Sequence, residues 1–149
     1  MIESSFNGDF WDLANKFDAI LVTTNGILKK DHTLVMGAGI ARQFAEKFPT
    51  VPKTLGDWVR ENGNKPCCIH GSARSIISMP TKNHFKDNSD LDLITKSAIL
   101  VKEIADRWGF KTILSTAPGC GMGNLAWAEV KPVIAGIWDD RFTVLTPRR

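Results

Sequence analysis

The sequence predicts a three-layer α/β/α domain, with a mixed, mostly parallel sheet carrying helices on both faces. Strand-like and helix-like apolar segments alternate along the chain. Two glycine-rich turns each follow a strand and lead towards a helix. No repeat or linker divides the 149 residues, a length that suits one domain, residues 1–149, around one core.

The elements follow in order. Residues 9–16 can form a short helix through Phe10, Leu13 and Ala14. Ala19-Ile20-Leu21-Val22-Thr23 reads as a buried strand, ended by Asn25-Gly26. Residues 26–33 form a polar loop. The first glycine turn, centred on Met36-Gly37-Ala38-Gly39, runs into a helix where Ile40, Ala41, Phe44, Ala45 and Phe48 recur at helical spacing until Pro49. Pro52 opens another helix with Leu55, Trp58 and Val59, stopped by Gly63.

Residues 67–69 and 75–79 form a short strand pair around His70-Gly71-Ser72. The longest helix has Ser89 as its N-cap and Gly109 as its stop, with Ile94, Ala98, Val101, Ala105 and Trp108 as the buried stripe. Residues 112–117 form a strand that enters the second glycine turn, Pro118-Gly119-Cys120-Gly121-Met122-Gly123-Asn124-Leu125. Val130, Val133, Ile134, Ile137 and Trp138 make the last helix, with Pro132 near its first turn or kinking it. Phe142-Thr143-Val144-Leu145 closes the fold as a strand. Trp11, Trp58, Trp108, Trp127 and Trp138 are read mainly as core residues and not as stacking platforms.

Composition narrows the function. With 43% hydrophobic and 23% charged residues the chain falls in the globular class. A net charge of +3 suits an anionic ligand but is too small to indicate a nucleic-acid coat by itself. Arg148-Arg149 reads as a solvated tail, with a nucleic-acid contact as the alternative. Three cysteines without zinc-like spacing indicate neither a disulfide framework nor a metal site. No cofactor is expected. The start of the chain lacks the pattern of a signal peptide, and no apolar run reaches the roughly 18 residues of a membrane span. A cytoplasmic monomer with no membrane partner is the expectation.

Glycine lets backbone approach a bulky anion, and the first N–H groups of a helix point at it. Two such turns at the carboxyl ends of strands suggest a ligand with a diphosphate. The Rossmann pattern fits poorly, because Gly37-x-Gly39 is followed by Arg42 instead of a third glycine. No Walker lysine is present.

These motifs resemble those of macrodomains, the ADP-ribose-binding fold. Gly8-Asp9-Phe10, Asp18-Ala19-Ile20 and Asn25 resemble the family's opening, while Met36 to Ala41 and Gly119 to Trp127 resemble its two phosphate loops. Pro80-Thr81-Lys82 is similar to a Thr-Lys pair in the branch containing terminal ADP-ribose protein glycohydrolase and the DNA ADP-ribosyl glycohydrolase antitoxins. The resemblance spans nearly the whole chain, from about Gly8 to Pro147.

The resemblance implies a hydrolase that binds ADP-ribose and removes it from modified nucleic acid or protein at the anomeric carbon of the distal ribose. Lys82 would attack that carbon, with Lys86 and His84 nearby, and Asn25 would hydrogen-bond the ribose. Asp9 would accept from the adenine amino group, assisted by the Phe10 backbone. Met36, Gly37, Ala38, Gly39 and Ile40 would hold one side of the diphosphate. Pro118, Gly119, Cys120, Gly121, Met122, Gly123, Asn124 and Leu125 would form the other. Ordinary structural roles stand beside these: an N-cap for Asp9, an Asn-Gly turn for Asn25, a solvated loop position for Lys82, and a packed thiol for Cys120. Phe142 or Pro147 would stack on the adenine.

The chain departs from the protein glycohydrolase at Gly123, where that enzyme has an acidic residue. The antitoxins also have glycine there, which favours a nucleic-acid target. Hydrolysis of ADP-ribose 1''-phosphate, a non-catalytic ADP-ribose reader and a general nucleotide-binding protein are the alternatives.

Overall fold

A computed structural model of the protein describes residues 1–5 and 8–147; the Arg148-Arg149 pair lies outside them. The element order is β1 (Ile2–Ser4), α1 (Phe10–Ala14), β2 (Ala19–Thr24), α2 (Gly39–Lys47), α3 (Val51–Asn62), β3 (Cys68–Ile69), β4 (Ser75–Pro80), α4 (Leu91–Trp108), β5 (Ile113–Thr116), α5 (Trp127–Ala135) and β6 (Phe142–Leu145). The six strands form one sheet in the order β1-β6-β5-β2-β4-β3. Every pairing is parallel except β3 with β4. This is the mixed, mostly parallel sheet expected from the sequence.

Side-chain alternation along the central strands builds two cores. Ala19 and Leu21 of β2 join Ile77, Met79 and the α4–α5 layer, where Ile94, Ala98, Val101 and Ala105 are fully buried. Ile20 and Val22 face the other way, onto Phe44 of α2, Leu55 of α3 and Phe10 of α1. With helices on both faces, β2 and β4 are buried along almost their whole length, with Thr23 and Thr24 in β2 and Ser75 and Ser78 in β4 breaking the apolar run.

Several expectations are corrected. Asp90, not Ser89, caps α4, its side chain accepting the Asp92 N–H at 2.9 Å. Trp108 ends the helix beside the left-handed Gly109 cap and is 49% exposed, so the buried stripe stops at Ala105. Among the five tryptophans only Trp138 is fully buried, stacked on Phe142 at 4.5 Å. Pro132 lies inside α5, which stops three residues later and leaves Ile137 and Trp138 beyond its end. The edge strand β1 has no counterpart in the sequence reading. Among the described residues no helix is long and apolar enough to cross a membrane, and no cluster of His, Cys, Asp and Glu could hold a metal ion.

Candidate active site

Parallel pairing brings the carboxyl ends of β2, β4, β5 and β6 to one edge of the sheet, where a cleft of about 1410 Å³ opens. Asp9, Phe10, Asn25, Lys82, the first glycine turn from Met36 to Ile40 and the second from Gly119 to Asn124 all line it. Pro118 and Leu125 do not; Leu125 packs against the α4–α5 core instead. The wall also holds residues absent from the sequence reading. Thr24, Thr116 and Thr146, like Thr81 of the Pro80-Thr81-Lys82 motif, each stand at, or one residue past, the end of a parallel strand. The rule that ligands bind beyond strand carboxyl ends is the signal that could have found them.

The first glycine turn passes into α2 through Gly39, whose φ of +59° is a left-handed conformation unfavourable for other residues. Ala38 occupies the N-cap and brings no side-chain hydrogen bond. The first-turn N–H groups of α2 therefore have neither a helical partner nor a cap, the usual setting for an anion. The second turn meets the first across the cleft: a Cβ on Gly39 would lie 3.3 Å from Met122 Cγ. Met122 is 64% exposed at this junction.

The second turn is tied to the segment carrying Lys82. Ser89 N–H donates to Gly123 O at 2.9 Å, and Asn124 Nδ2 donates to Asn88 Oδ1 at 2.9 Å. Lys82 Nζ reaches three carbonyl oxygens, those of Phe85 (3.2 Å), Asp87 (3.3 Å) and Met122 (3.4 Å). In this state the ammonium bridges two loops, and attack on carbon requires it to leave them. Ser89 is buried in the wall, and its hydroxyl has no hydrogen-bond partner among the described residues. A Cβ on Gly123 would collide with that hydroxyl and stand 2.5 Å from Gly119 O. Glycine at 123 is thus imposed by its neighbours.

Asn25 combines both readings. Its Oδ1 accepts the Ile27 N–H and its Nδ2 donates to Val35 O, each at 2.9 Å, which leaves one amide hydrogen for a ligand. Asp9 likewise lines the cleft while capping α1, accepting the Trp11 N–H in a capping box completed by Asp12. Burial pushes the Cys120 thiol up to about 11, with the Glu129 charge adding to the effect. The thiol is therefore protonated near neutrality and unsuited to nucleophilic attack. Phe142 is fully buried and cannot stack on a base, whereas Pro147 lines the cleft.

Comparison with solved structures decides the fold. Over 99% of both chains the protein matches the macrodomain of Mycobacterium tuberculosis DarG, with a TM-score of 0.83 and 22% identity. The chain has the macrodomain fold. The chain also matches Thermosipho africanus DarTG in complex with ADP-ribose, with a TM-score of 0.82 and 23% identity over all of its own length and 43% of that chain. Among curated proteins, it is 25% identical to a DNA ADP-ribosyl transferase–DNA ADP-ribosyl glycohydrolase fusion protein of Thermosipho africanus. That match covers 67% of this chain but only 31% of the fusion protein. The chain is 27% identical to ADP-ribose glycohydrolase OARD1 of Bos taurus over 74% of each chain. No family model matches.

Proposed function

We propose that this macrodomain binds ADP-ribose and hydrolyses it from an ADP-ribosylated macromolecule, with modified DNA favoured over modified protein. The observation that carries the reading is the Lys82 amine beside the second glycine turn, in a cleft whose other wall is the uncapped start of α2. A diphosphate held between the two turns sets the distal ribose beside Asn25 and Lys82. Positioning of this kind supplies a large part of the rate, because the reacting atoms meet without further ordering.

In the reaction, Lys82 gives a proton to solvent and releases its carbonyl partners. The Nζ lone pair forms a bond to the anomeric carbon as the bond to the modified group breaks. That bond's electron pair leaves with the group, which takes up a proton from water. A second water then attacks the same carbon, the carbon–nitrogen bond breaks, and ADP-ribose departs from a regenerated lysine.

Two observations favour DNA as the target. The crowding at Gly123 leaves no room for the acidic side chain of the resembled protein glycohydrolase. The fusion protein that the chain matches is named for DNA ADP-ribosyl glycohydrolase activity. The test is turnover of thymidine-linked ADP-ribosylated DNA, glutamate-linked ADP-ribosylated protein and ADP-ribose 1''-phosphate, with ADP-ribose calorimetry alongside. ADP-ribose release from the DNA and a slower reaction on protein are expected. Binding without release from any substrate would leave a reader, and no binding would overturn the proposal altogether.

A further inference from the structure

Asn64 lies outside the cleft lining, yet it joins the two segments that carry Lys82 and Asn25. Its Nδ2 donates to Lys82 O at 3.2 Å and to Asn83 Oδ1 at 3.0 Å. Its side chain also packs against Gly26, where an added Cβ would fall 2.8 Å from Asn64 Cγ. Gly26 N–H in turn donates to Asn83 O at 3.0 Å. The backbone beside Asn64 is itself anchored. Gly63 caps α3 through a bond to Val59 O, and Trp58 Nε1 donates to Lys65 O at 3.2 Å.

The oxygen of the same amide argues that the donors matter. Asn64 Oδ1 is buried without a hydrogen-bond partner among the described residues. An acceptor left in that state costs on the order of 1–3 kcal/mol, and an apolar side chain of the same size would avoid the cost. The oxygen of Asn64 therefore gives no reason for an amide at this position. The two N–H groups of the amide give one, because they hold the main chain at Lys82 and the side chain of its neighbour Asn83.

We infer that Asn64 is a positioning residue for Lys82: it holds the main chain from which the lysine reaches the distal ribose. The inference rests on the glycohydrolase reading above. Lys82 has a long side chain, so a small shift at its carbonyl is carried through to the amine. Misplacement by about 1 Å from a change far from the chemistry costs roughly a hundredfold in rate. Among the described residues neither glycine turn makes a hydrogen bond with the Asn64 side chain, so both are left in place when its amide is removed.

The test compares wild type with Asn64→Leu and Asn64→Asp, which match its size but cannot donate. Turnover of thymidine-linked ADP-ribosylated DNA is measured together with ADP-ribose affinity by calorimetry. A third readout is the rate at which free ADP-ribose and cyanoborohydride label Lys82, read by mass spectrometry. There the amine and the open-chain aldehyde lose water to form an imine, which the hydride reduces to a stable secondary amine. Both variants should lose roughly ten- to a hundredfold in kcat and in labelling rate, with KM and ADP-ribose affinity within about twofold of wild type. Unchanged kcat and labelling would overturn the inference while wild-type turnover kept the glycohydrolase reading intact. Proportional losses in affinity and kcat would assign Asn64 a merely structural role. A wild type without turnover would remove both.

Discussion

Lys82→Ala is expected to lower turnover of ADP-ribosylated DNA by about a thousandfold or more while ADP-ribose still binds within a few-fold of wild type. The two effects separate because different groups perform them. The diphosphate is assigned to backbone N–H groups of the two glycine turns, which the substitution leaves untouched. The reacting bond is assigned to the Lys82 amine. Its second task, bridging Phe85, Asp87 and Met122 through their carbonyls, accounts for the modest loss of affinity. Lys82→Arg distinguishes the two tasks. A guanidinium can still donate to those carbonyls, but it stays protonated and offers no lone pair to carbon. Single-turnover kinetics with calorimetry on both variants reads the difference. Normal turnover in Lys82→Arg would rule out covalent attack and leave the lysine a tether.

Gly123→Asp carries the other large effect. It would place the acidic residue of the resembled protein glycohydrolase into this chain, yet the expected result is loss of function and not a gain. The new Cβ would run into Ser89 Oγ and Gly119 O, so the second turn must shift. Overpacking of this kind costs about 1–3 kcal/mol, and the buried Ser89 hydroxyl offers the carboxylate one donor at most. The displaced turn would also lose its grip on the ligand. A lowered thermal midpoint and an ADP-ribose affinity at least about tenfold weaker are expected, read by calorimetry. Gly121→Ala is the control for the thermal midpoint alone, because a Cβ there meets no protein atom within 4 Å. Wild-type affinity in Gly123→Asp would show that the turn yields without harm and would remove the steric reason for glycine.

Which parts of this molecule are legible in its sequence follows from how local their causes are. The strand β2 is read directly from its apolar run Ala19 to Val22, and β4 from Ile76, Ile77 and Met79, because burial on both faces keeps charge out of both. The middle of α4 is equally clear from its repeating stripe, and both glycine turns from their punctuation. The cap of α4 shows the opposite case. Ser89 and Asp90 are adjacent and equally suited to capping, and the choice is made by a distant partner. Gly123 O takes the Ser89 N–H, which places Ser89 in the cleft wall and leaves the cap to Asp90. The strand β1 escapes notice because Ile2-Glu3-Ser4 has no apolar run and gains its order from pairing with β6. Trp108 is misjudged because helical spacing cannot tell the last turn, where the ring is half exposed beside His70, from the turns that pack on the sheet. Asn64 carries no local signal. Its partners Lys82 and Asn83 are 18 and 19 residues away, and only folding brings them together.

The two cores lie on opposite faces of the sheet, and the two glycine turns belong to different layers, one opening α2 and the other leading from β5 to α5. A diphosphate gripped by both turns would then be a strut between the two layers, added to the strands and to the approach of Met122 to Gly39. Part of its binding energy becomes resistance to unfolding. At a free ligand concentration one hundred times Kd that gain is about 2.7 kcal/mol. Release of ADP-ribose would accordingly loosen the whole domain and not the cleft alone.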